Sequence, residues 1–275
     1  MTKIVSVHSF RGGTGKSNLI ANLGATIARH GQRVGIVDTD IQSPGIHIIF
    51  GLDEAKMQRS LNDYLWGRCT IKEAVYNVSH ALKAKDERAV ADGSLYLIPS
   101  SIKASEISRI LREGYDVSRL NDGFEEIVRH LHLDYLLIDT HPGLNEETLL
   151  SIAISDILVV ILRPDNQDFQ GTAVTVDVAR KLEVSKMLLV VNKVLPAFDF
   201  DALQQQIETL YNTPVAGIVP LCEELIQLGS SDIFCLHHSE HPFSLIVKEI
   251  AEQIFAEQEK VIPIQNSKFK IQNSK

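Results

Sequence analysis

Phe10-Arg11-Gly12-Gly13-Thr14-Gly15-Lys16-Ser17 is the stretch on which the fold turns. It follows a β-branched run, Lys3–His8, and precedes an amphipathic one over residues 16–30, so a glycine-rich loop joins a strand to a helix. Glycines let backbone N–H groups close around phosphate oxygens without a Cβ in the way, and the start of a helix adds partial positive charge. In such a loop Lys16 reaches the β- and γ-phosphates and the Ser17 hydroxyl ligates Mg²⁺. The general pattern G-x-x-x-x-G-K-[ST] is not met in full, because Phe10 stands where its first glycine belongs.

Outward from this loop, short apolar runs alternate with longer amphipathic ones. Candidate strands cover residues 33–37, 94–99, 135–138, 157–162, 187–191 and 215–219, and candidate helices cover 116–132, 145–154, 170–182, 199–211 and 242–257. That alternation predicts an α/β fold, a doubly wound, mostly parallel sheet flanked by helices on both faces. The runs Tyr135-Leu136-Leu137-Ile138 and Ile157-Leu158-Val159-Val160-Ile161-Leu162 are apolar at every position, as in strands buried on both faces. No shift in composition marks an internal boundary, so residues 1–259 are expected to form a single domain. Residues 260–275 differ: after Pro263, Ile264-Gln265-Asn266-Ser267-Lys268 recurs as Ile271-Gln272-Asn273-Ser274-Lys275. This basic low-complexity tail reads as a disordered extension, or as an amphipathic contact with membrane or DNA for which it offers little apolar area.

The chain has 275 residues and a formal charge of -8, and the four lysines of the tail leave -12 on residues 1–259. An acidic body disfavours DNA as a partner, because neutralising phosphates requires a positive field. Cys69, Cys222 and Cys235 show no C-x-x-C spacing, so neither a disulfide framework nor a zinc site is expected and a reducing cytoplasm fits. Cys235, His237, His238 and His241, with Cys222 nearby, resemble a ligand cluster in composition but lack paired spacing. No apolar run approaches the roughly 20 residues that span a bilayer, and the N-terminus lacks the marks of a secretory signal. The expectation is cytoplasmic, with a peripheral contact at the inner face of the membrane left open.

Arg-Gly-Gly-Thr-Gly-Lys-Ser resembles the deviant Walker A box of the MinD/ParA family, K-G-G-x-G-K-[ST]. Further segments follow in the family's order. Asp38-Thr39-Asp40 resembles its switch I, Ile138-Asp139-Thr140-His141-Pro142-Gly143 its Walker B and switch II, and Asn192-Lys193 its base-recognition segment. Pro220 resembles the last loop flanking the nucleotide. The match spans about residues 3–255.

The resemblance implies ATP/ADP and Mg²⁺ as cofactors and a homodimer formed on ATP, with nucleotide between the subunits. It places Gly12, Gly13, Thr14, Gly15 and Lys16 in the phosphate cradle, Ser17 on the metal, Asp139 on the metal through water and Asp38 in its outer shell. Asp40 would orient the attacking water, Gly143 would donate its N–H to the γ-phosphate and Asn192 would read adenine. Arg11 replaces the family's signature lysine, which reaches the partner's phosphates; arginine keeps the charge and adds a planar fork. Asn18 replaces the usual Thr, its amide within reach of a phosphate oxygen. His141 reads as a base near the γ-phosphate or as a packing residue of the switch, and phosphoryl transfer favours the second. The expected function is a slow, partner-stimulated ATPase acting as a switch in spatial positioning or regulation, with a protein partner supplying location. The alternatives are a nucleotide-gated scaffold with little turnover, because of Arg11, and a metal or cluster carrier, which the unpaired cysteines disfavour.

Overall fold

The computed structural model describes residues 1–83 and 93–256. The expected tail over residues 260–275 and the end of the expected domain at 259 lie outside the described residues. The elements in chain order are β1 (Lys3–His8), α1 (Lys16–Arg29), β2 (Arg33–Asp38), α2 (Ile46–Ile49), α3 (Leu61–Leu65), β3 (Tyr76–Asn77), β4 (Ser94–Ile98), α4 (Ala104–Glu113) and α5 (Ser118–Leu131). They continue with β5 (Tyr135–Asp139), α6 (Glu146–Ala153), β6 (Ile157–Leu162), α7 (Asn166–Lys181), β7 (Lys186–Val194), α8 (Phe200–Tyr211), β8 (Val215–Pro220), α9 (Glu223–Leu228), α10 (Phe234–His237) and α11 (Pro242–Phe255).

Eight strands form one sheet in the order β3-β4-β2-β5-β1-β6-β7-β8, parallel throughout except where the short edge strand β3 meets β4. The doubly wound, mostly parallel arrangement is the one the apolar runs predict. Tyr135 and Leu137 of β5 pack in one cluster with residues of α1 and α11. Their neighbours Leu136 and Ile138 turn to the other face, with Leu120 and Phe124 of α5, and Leu158 and Val160 of β6 meet Val176 of α7 and Ile207 of α8. Burial on both faces is why these strands read as continuous apolar runs.

β1 lies at the centre, with β5 on one side and β6 on the other. The direction of winding reverses there, and in open α/β sheets the crevice outside the carboxyl ends of the strands at that point is where ligands bind. Three strands run one residue past their apolar runs, to Asp38, Asp139 and Pro220. Asp38 and Asp139 are therefore side by side in the β2–β5 register, at the mouth of that crevice. α7 begins four residues earlier than its apolar pattern, because Asp165 caps it by accepting the Gln167 and Asp168 N–H groups at 3.1 and 3.0 Å. Among the described residues no helix is long and apolar enough to cross a membrane.

Candidate functional site

The glycine-rich loop runs from the carboxyl end of β1 to the first turn of α1. Gly13 and Gly15 take φ of +76° and +102°, values that side-chain-bearing residues rarely adopt. At Gly15 the space is closed as well: a Cβ would stand 2.5 Å from Asn192 Nδ2. Phe10, in place of the pattern's first glycine, leans on α7, where its ring fills the space a Gly171 side chain would need. The bulky residue at position 10 is thus accommodated by a missing one at position 171. Lys16 is buried, its ammonium donating to Ser9 Oγ at 3.1 Å.

Two contacts from β7 hold this loop. Asn192 Nδ2 donates to the Thr14 carbonyl at 2.7 Å, and Lys193 Nζ donates to the Gly13 carbonyl at 2.8 Å. Lys193 sits at φ +60°, unusual for a non-glycine residue. Sequence reading picked out Asn192 for a base and passed over Lys193; both residues touch the loop itself.

The carboxylates converge beside it. Asp139 is buried, and neither of its oxygens has a hydrogen bond of conventional geometry. Burial pushes its pKa from 3.8 up to about 6, against the opposing pull of the Lys16 charge and the Ser17 hydroxyl. Asp38 is also buried and held well above the usual carboxylate range by burial, then by Asp139 and Asp40. Its Oδ1 accepts the Asp40 N–H at 3.0 Å, while Oδ2 has no hydrogen bond of conventional geometry; the Gly45 N–H is the further backbone donor near this carboxylate. Asp40 Oδ1 accepts from the Ser43 N–H and hydroxyl at 3.1 and 3.0 Å. Orphaned acid oxygens this deep require compensation by a cation or by polar ligand groups. With the Ser17 hydroxyl, which lies against Asp139, they form a donor set of hard oxygens that fits Mg²⁺ beside a phosphate chain.

A stability consequence follows from Asp139. With a native pKa above the unfolded one, the folded protein retains a proton that the unfolded chain releases, so this group lowers stability as pH rises from about 4 through about 6. Asp139→Asn is therefore expected to stabilise the metal- and nucleotide-free protein at pH 7.5 by about 2–3 kcal/mol, the gain shrinking toward pH 4. Urea unfolding in EDTA at the two pH values measures it; equal or lower stability of the variant at pH 7.5 contradicts it.

The switch segments pack around these acids. Gly143, at φ +85°, donates its N–H to the Ser9 carbonyl at 3.2 Å. His141 Nε2 lies 3.9 Å from Asp40 Oδ1. His8, buried behind the loop, contacts the Thr140 hydroxyl through Nδ1 at 2.8 Å, and burial with the Lys16 and His141 charges lowers its pKa to about 3. It stays a neutral strut. Arg11 is folded back on its own subunit: its guanidinium donates to Gln167 Oε1 and lies 3.9 Å from Asp168 Oδ1, a carboxylate already gripped by Arg163. Its side chain is still 41% exposed.

A cavity of about 170 Å³ opens next to the loop, lined by Gly15, Asn18, Asn192, Pro220, Cys222 and Phe243 among others. Asn18 faces this cavity, its Nδ2 donating to Ser230 Oγ at 3.2 Å. At its rim the structure brings together Cys222, Glu224 and His241: Sγ to Oε2 is 3.5 Å, Sγ to Nε2 3.9 Å and Nε2 to Oε2 3.8 Å. His241 Nδ1 accepts the Phe243 N–H, which leaves Nε2 toward the Cys222 thiol, and the thiol bonds both the imidazole and the Glu224 carboxylate. His237 pairs with Asp232 at 2.9 Å, His238 stacks on Phe234, and Cys235 lies apart from the rim with its pKa pushed up to about 11 by burial.

The AAA domain family matches residues 2–189 of this chain. An uncharacterized ATP-binding protein of Methanocaldococcus jannaschii is 27% identical over 222 residues, 80% of this chain and 75% of its own length. The septum site-determining protein MinD of Synechocystis is 25% identical over 232 residues, 82% and 79% of the two chains. Among solved structures, MinD of Pyrococcus horikoshii, complexed with Mg-ADP, superposes with a TM-score of 0.75 at 19% identity, over 95% of this chain and all of that one. With the family match covering more than half of the chain and the fold shared almost end to end, this protein belongs to the MinD/ParA family of P-loop ATPases.

Proposed function

We propose that this chain binds Mg-ATP in the cradle of residues 12–17, dimerises on it and hydrolyses it slowly, as a switch whose ATP state engages a partner protein at a defined cellular site. The observation that carries this reading is the pair of buried carboxylates Asp38 and Asp139 at the sheet's switch point, only partly balanced by the Asp40 N–H on the first and by the Lys16 charge and Ser17 hydroxyl on the second. The likeness to septum site-determining proteins supports a positional role.

In this reading Lys16 and the loop's N–H groups grip the β- and γ-phosphates. Mg²⁺, when bound by the Ser17 hydroxyl and, through water, by Asp139 with Asp38 behind it, neutralises charge on the phosphates. Asp40, anchored by Ser43, orients the attacking water. Gly143 exchanges the Ser9 carbonyl for a γ-phosphate oxygen, so the switch loop has one hydrogen-bond partner with ATP and another without it. Asn192 and Pro220 bound the base, with Asn18 beside them. Arg11 leaves Gln167 and Asp168 to reach the partner's phosphates. Giving up those contacts makes dimerisation costly and turnover slow.

Arg11→Ala is expected to leave ATP binding to the monomer within a few-fold of wild type while ATP-dependent dimerisation or turnover falls about 10- to 100-fold, the worth of one charge-assisted contact. Analytical ultracentrifugation with and without Mg-ATP, alongside steady-state phosphate release, checks this. Unchanged dimerisation and turnover would remove Arg11 from the trans position. A wild-type protein that dimerises on ATP yet releases no phosphate, even with its partner present, would instead be a nucleotide-gated scaffold.

A further inference from the structure

Asn192 and Lys193 are consecutive residues near the carboxyl end of β7. In a regular strand their side chains would point to opposite faces of the sheet, yet both reach the glycine-rich loop, Asn192 at the Thr14 carbonyl and Lys193 at the Gly13 carbonyl. The local backbone shows how. Lys193 takes φ of +60°, and the pairing of β7 with β8 shifts register between Val191 and Val194. An irregularity of this kind re-aims a side chain, and a residue other than glycine held in the left-handed region persists where surrounding contacts over-determine it. Regular pairing is lost at the two positions that touch the loop.

The planarity of the peptide gives those two contacts a consequence. In a trans peptide the carbonyl and the next residue's N–H point in opposite directions. Holding the Gly13 carbonyl on Lys193 Nζ therefore turns the Thr14 N–H away from β7, and holding the Thr14 carbonyl on Asn192 Nδ2 does the same to the Gly15 N–H. In the strand order β5-β1-β6-β7, away from β7 is toward β1 and β5, the side on which Lys16 acts on Asp139. Among the described residues neither N–H donates to a group of the protein. A donor on a peptide's carbonyl also polarises that peptide, which strengthens its N–H. Asn192 spends its own carbonyl oxygen on the Lys193 N–H at 2.9 Å, so its amide is engaged at both ends. It borders the base cavity, but its polar atoms serve the loop.

We propose that Asn192 and Lys193 are positioning residues for the phosphate chain: they aim the Thr14 and Gly15 N–H groups at it before a nucleotide arrives, and Asn192 does not select the base. The proposal rests on the reading of residues 12–17 as a phosphate cradle. Donors already fixed in place need no reorganisation when the anion binds. Losing either holder is therefore felt by every ligand with a phosphate chain, whatever base it carries.

Magnesium tripolyphosphate, a phosphate chain with no base, is the probe, titrated by calorimetry beside Mg-ATP into the full-length protein. Asn192→Ala changes no charge and is expected to weaken both ligands by the same factor, about 3- to 10-fold, the worth of one hydrogen bond. Lys193→Met, at an exposed position, is expected to weaken both about tenfold or more, because that contact is charge-assisted. Lys193→Arg keeps a cationic donor and should stay within about threefold of the wild type. An Asn192→Ala protein that loses Mg-ATP affinity and keeps that for tripolyphosphate makes the side chain a base reader and overturns the proposal. Undiminished binding of both ligands by Asn192→Ala and Lys193→Met proteins that melt like the wild type overturns it as well. A wild type that binds neither ligand removes the cradle reading, and the proposal with it.

Discussion

Lys16→Ala is expected to weaken Mg-ATP binding by at least about two orders of magnitude while leaving the fold in place. Lys16 is buried at the start of α1, its ammonium on Ser9 Oγ and its charge acting on Asp139. Removing it deletes charge-assisted contacts to two phosphates, each worth about 1.5–3 kcal/mol. It also removes the charge that holds Asp139 down toward ionisation, so the acid takes up a proton more readily and becomes a poorer partner for Mg²⁺. Both effects act in the same direction, and together they exceed the 2.7 kcal/mol that a hundredfold loss represents. Calorimetric titration with Mg-ATP reads the affinity and thermal melting reads the fold. An affinity within threefold of wild type, in a variant that melts normally, would sink the nucleotide assignment.

The sheet was legible because the strands that flank the central one, β5 and β6, carry continuous apolar runs, a pattern that survives any choice of topology. β3 was not: it is two residues long, pairs antiparallel and leaves Asn77 exposed. α4 escaped notice because it buries one residue, Ile110, and presents charge elsewhere. α9 and α10 span fewer than two turns, too short for a helical period to emerge. In the site, the Gly-Lys-Ser loop and the Asp-x-Asp and Asp-Thr-x-x-Gly segments stood out because each is compact in sequence. What sequence could not supply was their adjacency. Asp38 and Asp139 are neighbours through the β2–β5 register, Gly143 meets Ser9, and Lys193 reaches Gly13 across 180 positions. The same holds for Phe10, whose departure from the loop pattern makes sense once Gly171 is seen beneath its ring. Arg11 could be placed by analogy with a lysine in its partner-facing role, yet its resting contacts with Gln167 and Asp168 depend on where the Asp165 cap starts α7.

Asp40→Ala is expected to reduce ATP turnover about 100- to 1,000-fold while Mg-ATP affinity stays within a few-fold of wild type, the signature of a residue that acts on water and not on phosphate. Asp40 lies on the loop after β2, outside the glycine cradle, and its carboxylate is anchored by the Ser43 N–H and hydroxyl. Alanine therefore removes an oriented acceptor without touching the groups that grip phosphate. A competing reading assigns that task to His141, whose Nε2 stands 3.9 Å from Asp40 Oδ1. Phosphoryl transfer draws its rate mainly from positioning and charge, so His141→Ala should lower turnover by about tenfold at most, through a less constrained Asp40. Single-turnover phosphate release from pre-bound Mg-ATP separates the two. If the Asp40 variant turns over at a wild-type rate and the His141 variant does not, the imidazole is the group on the water and the carboxylate merely holds it. If the Asp40 variant fails and ATP-dependent dimers accumulate in it, the loop after β2 is what ends the ATP state, and the lifetime of the dimer is set by the placement of a single carboxylate.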